Sequence, residues 1–278
     1  MILLALAALA APCEERAPWD APFAVQAPDQ LGGAVLQLLV RVDELPPPVL
    51  ERLLDALQER DVHVGLSVLP DPLPAATDRL VQAIEAGNEL VVRLPTASVS
   101  PNPDTGPPAL RKVLKPIRKA LGRPASAETG LGDRGREAVL HRVGLRAVYE
   151  TNGPANAIPR KQVHLEGQVD NGVVLPVGPW PAGCTSVQVP FDPAAADRAT
   201  QALFGARSAE LGVVRLTVEP RLPEEVDVLV RWLDTVVLPA GVPVLGPQAA
   251  RERALPVLRN PAPVAAAPLL GGRLVGVS

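Results

Sequence analysis

Aromatic side chains are scarce in this chain, with three Trp, three Phe and one Tyr in 278 residues. The core must therefore be built from Val, Leu and Ala, and an aromatic-lined sugar or base platform has little to be made from. Cysteine is nearly missing too. Cys13 and Cys184 allow at most one bridge, tying the N-terminal arm to the later chain, and no Cys/His cluster has zinc-site spacing. The three histidines, His63, His141 and His164, share no ligand spacing and read as strand, helix and loop residues. A basic excess is also lacking: 27 Lys and Arg against 30 Asp and Glu leave a net charge of −3. No chain-wide basic field exists to hold nucleic-acid phosphates. The apolar run Met1 to Pro12 is too short to span a bilayer.

What is present suits one large α/β domain. Hydrophobic residues make up 47% of the chain, enough for a full core, and the length is ordinary for a (β/α) barrel. Abundant Ala, Pro, Gly and Arg point to a GC-rich bacterial genome. Residues 1–12 resemble the apolar part of a secretory signal, with Ala8-Leu9-Ala10 as a cleavage site, although no positive n-region precedes them. The expectation is a periplasmic or secreted protein. Lipid attachment at Cys13 is disfavoured by Pro12 immediately before it. Residues 13–33 read as an extended arm, 34–254 as the main domain, and 255–278 as a Pro/Ala-rich tail.

Within the main domain the apolar pattern alternates between strand and helix. Strands are expected over 35–42, 62–69, 89–94, 145–149, 212–218 and 242–245. Helices are expected over 47–60, 77–86, 110–121, 134–143, 193–206 and 223–237. The 47–60 helix starts on Pro46-Pro47-Pro48, which a helix N-terminus tolerates. Residues 122–132 read as irregular, and 161–190 as an insertion of short β segments and turns. Such alternation favours a parallel sheet or barrel, with all strand C-termini on one face. Asp43, Glu44, Arg93, Glu150 and the pair Val218-Glu219 would then gather at the edge where α/β folds place their sites. Trp180, between Pro179 and Pro181, reads as a rigid surface turn, with a sugar-stacking platform as the alternative. The basic face of residues 111–119 reads as a solvated helix face.

Arg41-Val42-Asp43-Glu44-Leu45-Pro46 is similar to the Thr-Phe-Asp-Asp-Gly-Pro strand end of the polysaccharide deacetylase (NodB-homology) family of carbohydrate esterases. Val64-Gly65-Leu66-Ser67-Val68-Leu69 resembles that family's next strand, and Ala86-Gly87-Asn88-Glu89-Leu90-Val91-Val92-Arg93 its Glu-Gly-His-Glu-Ile-Gly-Asn-His segment. The family's Arg-Pro-Pro-Tyr-Gly loop falls on Glu128 to Gly132, its Leu-Gly-Tyr strand on Val143-Gly144-Leu145, and its late Leu-Leu-His-Asp strand on Leu216-Thr217-Val218-Glu219. The resemblance covers roughly residues 34–246 and implies a distorted (β/α) barrel of about seven parallel strands.

In active members of that family a divalent metal, held by one Asp and two His, polarises an acetyl carbonyl and activates water, while a second Asp is the general base. The resemblance puts the base position on Asp43 and the metal Asp on Glu44. The two metal-binding histidines fall on Arg93 and Ala97, the late His on Val218, and the loop Arg on Glu128. The chain thus resembles a degenerate member, with no metal cofactor expected. Arg93 is expected to replace the cation by pairing with Asp43 or Glu44. Glu44, Arg93 and Glu128 are the candidate ligand-binding residues, with Asp43 as the catalytic position. The reading that follows is a catalytically inactive deacetylase-like domain binding a polysaccharide or peptidoglycan ligand or an envelope protein. The alternative is a hydrolase acting on acylated carbohydrate through a remodelled, non-metal site.

Overall fold

A computed structural model describes residues 18–26, 34–43, 45–95, 98–129, 134–149, 160–163, 169–174, 191–207, 212–250 and 252–253. The element order is β1 (Ala34–Arg41), α1 (Pro47–Glu59), β2 (Gly65–Val68), α2 (Thr77–Glu85), β3 (Glu89–Leu94), α3 (Gly106–Ala120), β4 (Ser126–Thr129) and α4 (Arg134–Arg142). It continues through β5 (Arg146–Tyr149), β6 (Arg160–Val163), β7 (Val169–Val174), α5 (Pro193–Arg207), β8 (Gly212–Val218), α6 (Pro223–Trp232) and β9 (Val244–Leu245). The strands form one sheet in the order β5-β4-β3-β2-β1-β8-β7-β6, with β9 beside the start of β1. Every pairing is parallel except β6 with β7. The sheet curls into a half-barrel, the architecture expected from the sequence.

All eight residues of β1 are buried, so both faces of this central strand are covered. The period-2 alternation of a strand sorts them. Ala34, Leu36, Leu38, Val40 and Val42 belong to the main core, together with Val49, Leu50, Leu53, Leu54 and Leu57 of α1. The odd-numbered side chains face the concave side instead. Val35 packs with Ala250, Gln37 meets Arg215, Leu39 packs with Val91, and Arg41 and Asp43 enter an ionic cluster. The helix layer is closed by α6, where Trp232 is fully buried, bonds Thr200 Oγ1 through Nε1 at 2.9 Å, and meets the Phe191 ring edge-on.

At the far end from β1's C-terminus, Glu89 accepts hydrogen bonds from the backbone N–H groups of Gln248 and Ala249. A Cβ on Gly246 would lie 2.5 Å from the Glu89 carboxyl carbon, so this closure needs glycine there. Of the expected N-terminal arm, residues 18–26 dock on the helices: Asp197 accepts from Ala24 N and Val25 N, and Arg231 donates to Trp19 O and Ala21 O.

Two expectations are revised. Residues 122–132 are not irregular throughout, because Ser126-Ala127-Glu128-Thr129 is strand β4, held between β3 and β5. Its concave-facing residues are polar, so no apolar alternation announces it. The 223–237 helix is α-helical only to Trp232, after which Leu233–Val237 widens into a π-helical turn. Across 161–190 the described β segments are β6 and β7, and β7 continues the main sheet, pairing Val173 with Val214 of β8. Residues 1–12, Cys13, Cys184, Trp180, His164 and the tail 255–278 lie outside the described residues. Among the described residues no helix is long and apolar enough to cross a membrane.

Candidate functional site at the carboxyl end of the strands

The C-terminal ends of β1, β2, β3, β4 and β8 bring together Arg41, Asp43, Ser67, Arg93, Glu128 and Glu219. Register explains which side chains share a face. Arg41 is level with Ser67 of β2, Ser67 with Val91 of β3, and Arg93 with Glu128 of β4. On a flat sheet β1 and β4 would stand about 14 Å apart, three steps of about 4.8 Å each. Curvature closes that gap. Arg41 donates from Nε at 2.9 Å and from a terminal nitrogen at 2.5 Å, both to Glu128 Oε1, and Ser67 Oγ donates to Oε2. Arg41 and Glu128 are 6% and 1% exposed, so this is an ion pair in a low-dielectric interior with both carboxylate oxygens engaged.

Asp43 lies just past β1, one strand step above Arg41. Its Oδ1 accepts the Leu69 backbone N–H and its Oδ2 accepts from Arg93. The ion pair expected between Arg93 and this acidic strand end is therefore present, with the Asp43 side chain 4% exposed and that of Arg93 17% exposed. Burial pushes the Asp43 carboxyl above its usual range. Arg93 and the Leu69 N–H oppose that rise, while Glu128 and Glu219 add to it. Glu219 is itself buried at its side chain and accepts from Arg221 at 2.8 Å. One level deeper, Arg215 is buried; that burial pushes its guanidinium down to about 10, and Gln37 Oε1 accepts from its Nε.

These donors do not fit a divalent metal. Each Asp43 oxygen already accepts a hydrogen bond, one from an N–H and one from a guanidinium, and Arg41 and Arg93 place two cations where a metal would need neutral or anionic ligands. Among the described residues no group of three or more His, Cys, Asp or Glu is placed to hold an ion. His63 bonds the Ala86 carbonyl beside Gly87, and His141 sits exposed on α4, both away from the cluster.

Of the residues expected at this edge, Asp43, Arg93, Glu128 and Glu219 come together, while Glu44, Ala97 and Glu150 lie outside the described residues. Val218 does not belong here. It faces the helix layer, 3% exposed within the main core, and its neighbour Glu219 occupies the concave side. Arg41 and Ser67 were missed as site residues. Arg41 was open to detection, because residues two apart on a strand share a face, so Arg41 must accompany Asp43.

An open (β/α) barrel with its charged groups at the C-terminal strand edge defines the class: the chain has the polysaccharide deacetylase fold. Among solved structures it is similar to a candidate polysaccharide deacetylase from Mycobacterium smegmatis, at 15% identity and TM-score 0.59, covering 87% of this chain and 96% of that one. It is also similar to the allantoinase PuuE, at 10% identity and TM-score 0.55, covering 81% and 91%. A third similar structure is a CE4-family pseudoenzyme from Bacillus anthracis, at 10% identity and TM-score 0.50, covering 78% and 65%. No family model matches the chain, and no curated protein matches it.

Proposed function

We propose that this chain is a carbohydrate-binding domain on the polysaccharide deacetylase fold that does not carry out metal-dependent deacetylation. The observation that supports this is the Arg93–Asp43 ion pair. A carboxylate whose two oxygens accept from a backbone N–H and a guanidinium is held as the anionic half of an ion pair, which opposes its taking a proton from water. The Bacillus anthracis neighbour, described as a pseudoenzyme of the CE4 family and known also as a mutant with restored activity, shows that this fold accommodates loss of catalysis. In this reading Arg93 is the cluster's ligand-facing member, because it keeps some exposure and its Nε is buried without a partner. Glu44, beside Asp43 in sequence, is the second ligand contact. Glu128 acts from behind by holding Arg41 and Ser67. The site of action is outside the cytoplasm, on an envelope polysaccharide.

The test combines turnover and binding. Esterase assays on acetylated chito-oligosaccharides, with added zinc or cobalt, should give no turnover above the protein-free rate. Calorimetric titration with the same oligosaccharides should show binding that Arg93→Ala weakens by about tenfold, the order of one lost charge-assisted hydrogen bond. Metal-stimulated turnover abolished by Asp43→Asn would overturn the non-catalytic half. Undetectable binding would overturn the carbohydrate half.

A further inference from the structure

The cations of α3 lie in a stretch of sequence without acids. Arg111, Lys112, Lys115 and Lys119 are exposed and Arg118 is half-buried beside them. At 100° per residue these five fall within a stripe about 120° wide, opposite the buried Leu110, Leu114 and Ile117. Two more cations extend it. Arg123 lies against Gly144, where an added Cβ would come within 2.5 Å of its guanidinium, and Arg142 donates to Pro103 O at 2.6 Å just ahead of α3. Arg118 donates to Val143 O, which ties the helix face to the end of α4.

Among the described residues none of these seven side chains has a carboxylate within ion-pair distance. Arg41, Arg52, Arg60, Arg79, Arg93 and Arg221 each have one. No Asp or Glu occurs from Thr105 to Ala127. The helix dipole accounts for Arg118 and Lys119 in the last turn, but not for Arg111 and Lys112 a full two turns earlier. Seven unneutralised cations on one surface of a chain with net charge −3 repel one another by Coulomb's law. A polyanion relieves that repulsion.

We infer that the α3–α4 surface is a docking site for an anionic polysaccharide, a carbohydrate chain bearing carboxylates. That the polymer is anionic rests on the seven cations; that it is a carbohydrate rests on the reading proposed above. The surface disfavours the other polyanions. Residues 98–146 contain no Trp, Phe or Tyr, so no platform exists for stacking nucleic-acid bases. Among the described residues the exposed large hydrophobic side chains are Leu222 and Leu238, neither of them on α3 or α4, so no described side chain there inserts into a lipid surface. A folded protein partner would need an apolar patch at the centre of its interface, and among the described residues this face exposes no large hydrophobic side chain.

Polygalacturonate is the probe. The full chain should bind it with an affinity that falls about 10–100-fold between about 50 and about 200 mM salt, as expected when several cations release counterions. Charge reversal at Lys112→Glu, Lys115→Glu and Lys119→Glu together should cost about tenfold or more, and the neutral Gln versions a smaller share. The Gln versions keep the test decisive if the reversed chain fails to fold. Arg52→Gln, an exposed change on α1 outside both sites, should leave this affinity unchanged. The inference is overturned by triple variants that bind like the parent, by loss of binding on Arg52→Gln alone, or by tighter binding to single-stranded DNA or anionic phospholipid vesicles than to polygalacturonate. Should neutral chito-oligosaccharides fail to bind while polygalacturonate still does, the strand-edge reading falls and this one stands.

Discussion

The strand-edge cluster and the α3–α4 surface are both rich in arginine, yet they handle charge in opposite ways. At the strand edge Arg41 and Arg93 are 6% and, at the side chain, 17% exposed, and each is held by a carboxylate brought from another strand. On the helix surface six exposed cations and the half-buried Arg118 have no carboxylate within ion-pair distance among the described residues. The difference is dielectric. Desolvating an ion costs several kcal/mol, roughly, unless a counter-ion accompanies it, whereas water screens an exposed charge at little cost. Buried charges therefore come in pairs for reasons of stability, and an unpaired exposed set is free to serve a partner.

Glu128→Ala should sharpen this contrast most. It removes the acceptor of Arg41 Nε and of Ser67 Oγ, both buried, and should cost about 3–5 kcal/mol in urea melts. A loss below about 1 kcal/mol would mean the cluster is not the tightly paired interior described above.

Arg93→Ala should come next, at about 2–3 kcal/mol near neutral pH, because its side chain keeps some exposure and Asp43 retains the Leu69 N–H. The pH dependence carries a definite sign. Asp43 already titrates above its ordinary value of 3.8, so its contribution to stability is fully present below that value and is lost as pH rises through its raised folded value. Removing Arg93 takes away the main influence holding that value down and raises it further. The destabilisation by Arg93→Ala should therefore shrink as pH falls through the Asp43 titration. Equal losses at pH 7 and in mild acid would break the assignment.

Lys115→Ala should show the smallest effect, within about 0.5 kcal/mol, and should turn slightly stabilising at low salt as like-charge repulsion is relieved. A large loss there would mean the helix surface is structural after all.

Much of the fold was legible because it rests on periodicity. The leucine stripe of α1 and the run Ala34–Arg41 announce a helix and a strand from composition alone, and Asp43 and Arg93 could be placed at one edge once the alternation was recognised. Ser126–Thr129 was not legible, because a strand with Ser and Glu on its concave face has no apolar signature and exists through its neighbours. Val218 was misplaced for a related reason: motif matching aligns letters, while the side chain's face depends on register, and one residue's shift exchanges core for site.

By itself the sequence determined the alternation of strands and helices, the edge on which Asp43 and Arg93 meet, and the acid-free basic segment between Thr105 and Ala127. Each of these follows from local pattern and from the chirality that puts parallel strand ends on one face. Only the tertiary structure decided which charge meets which. Arg41 and Glu128 are 87 residues and three strand steps apart, and their contact depends on how far the sheet curls. Curvature is a collective result of packing the helices against one face, so no residue's own letter encodes it.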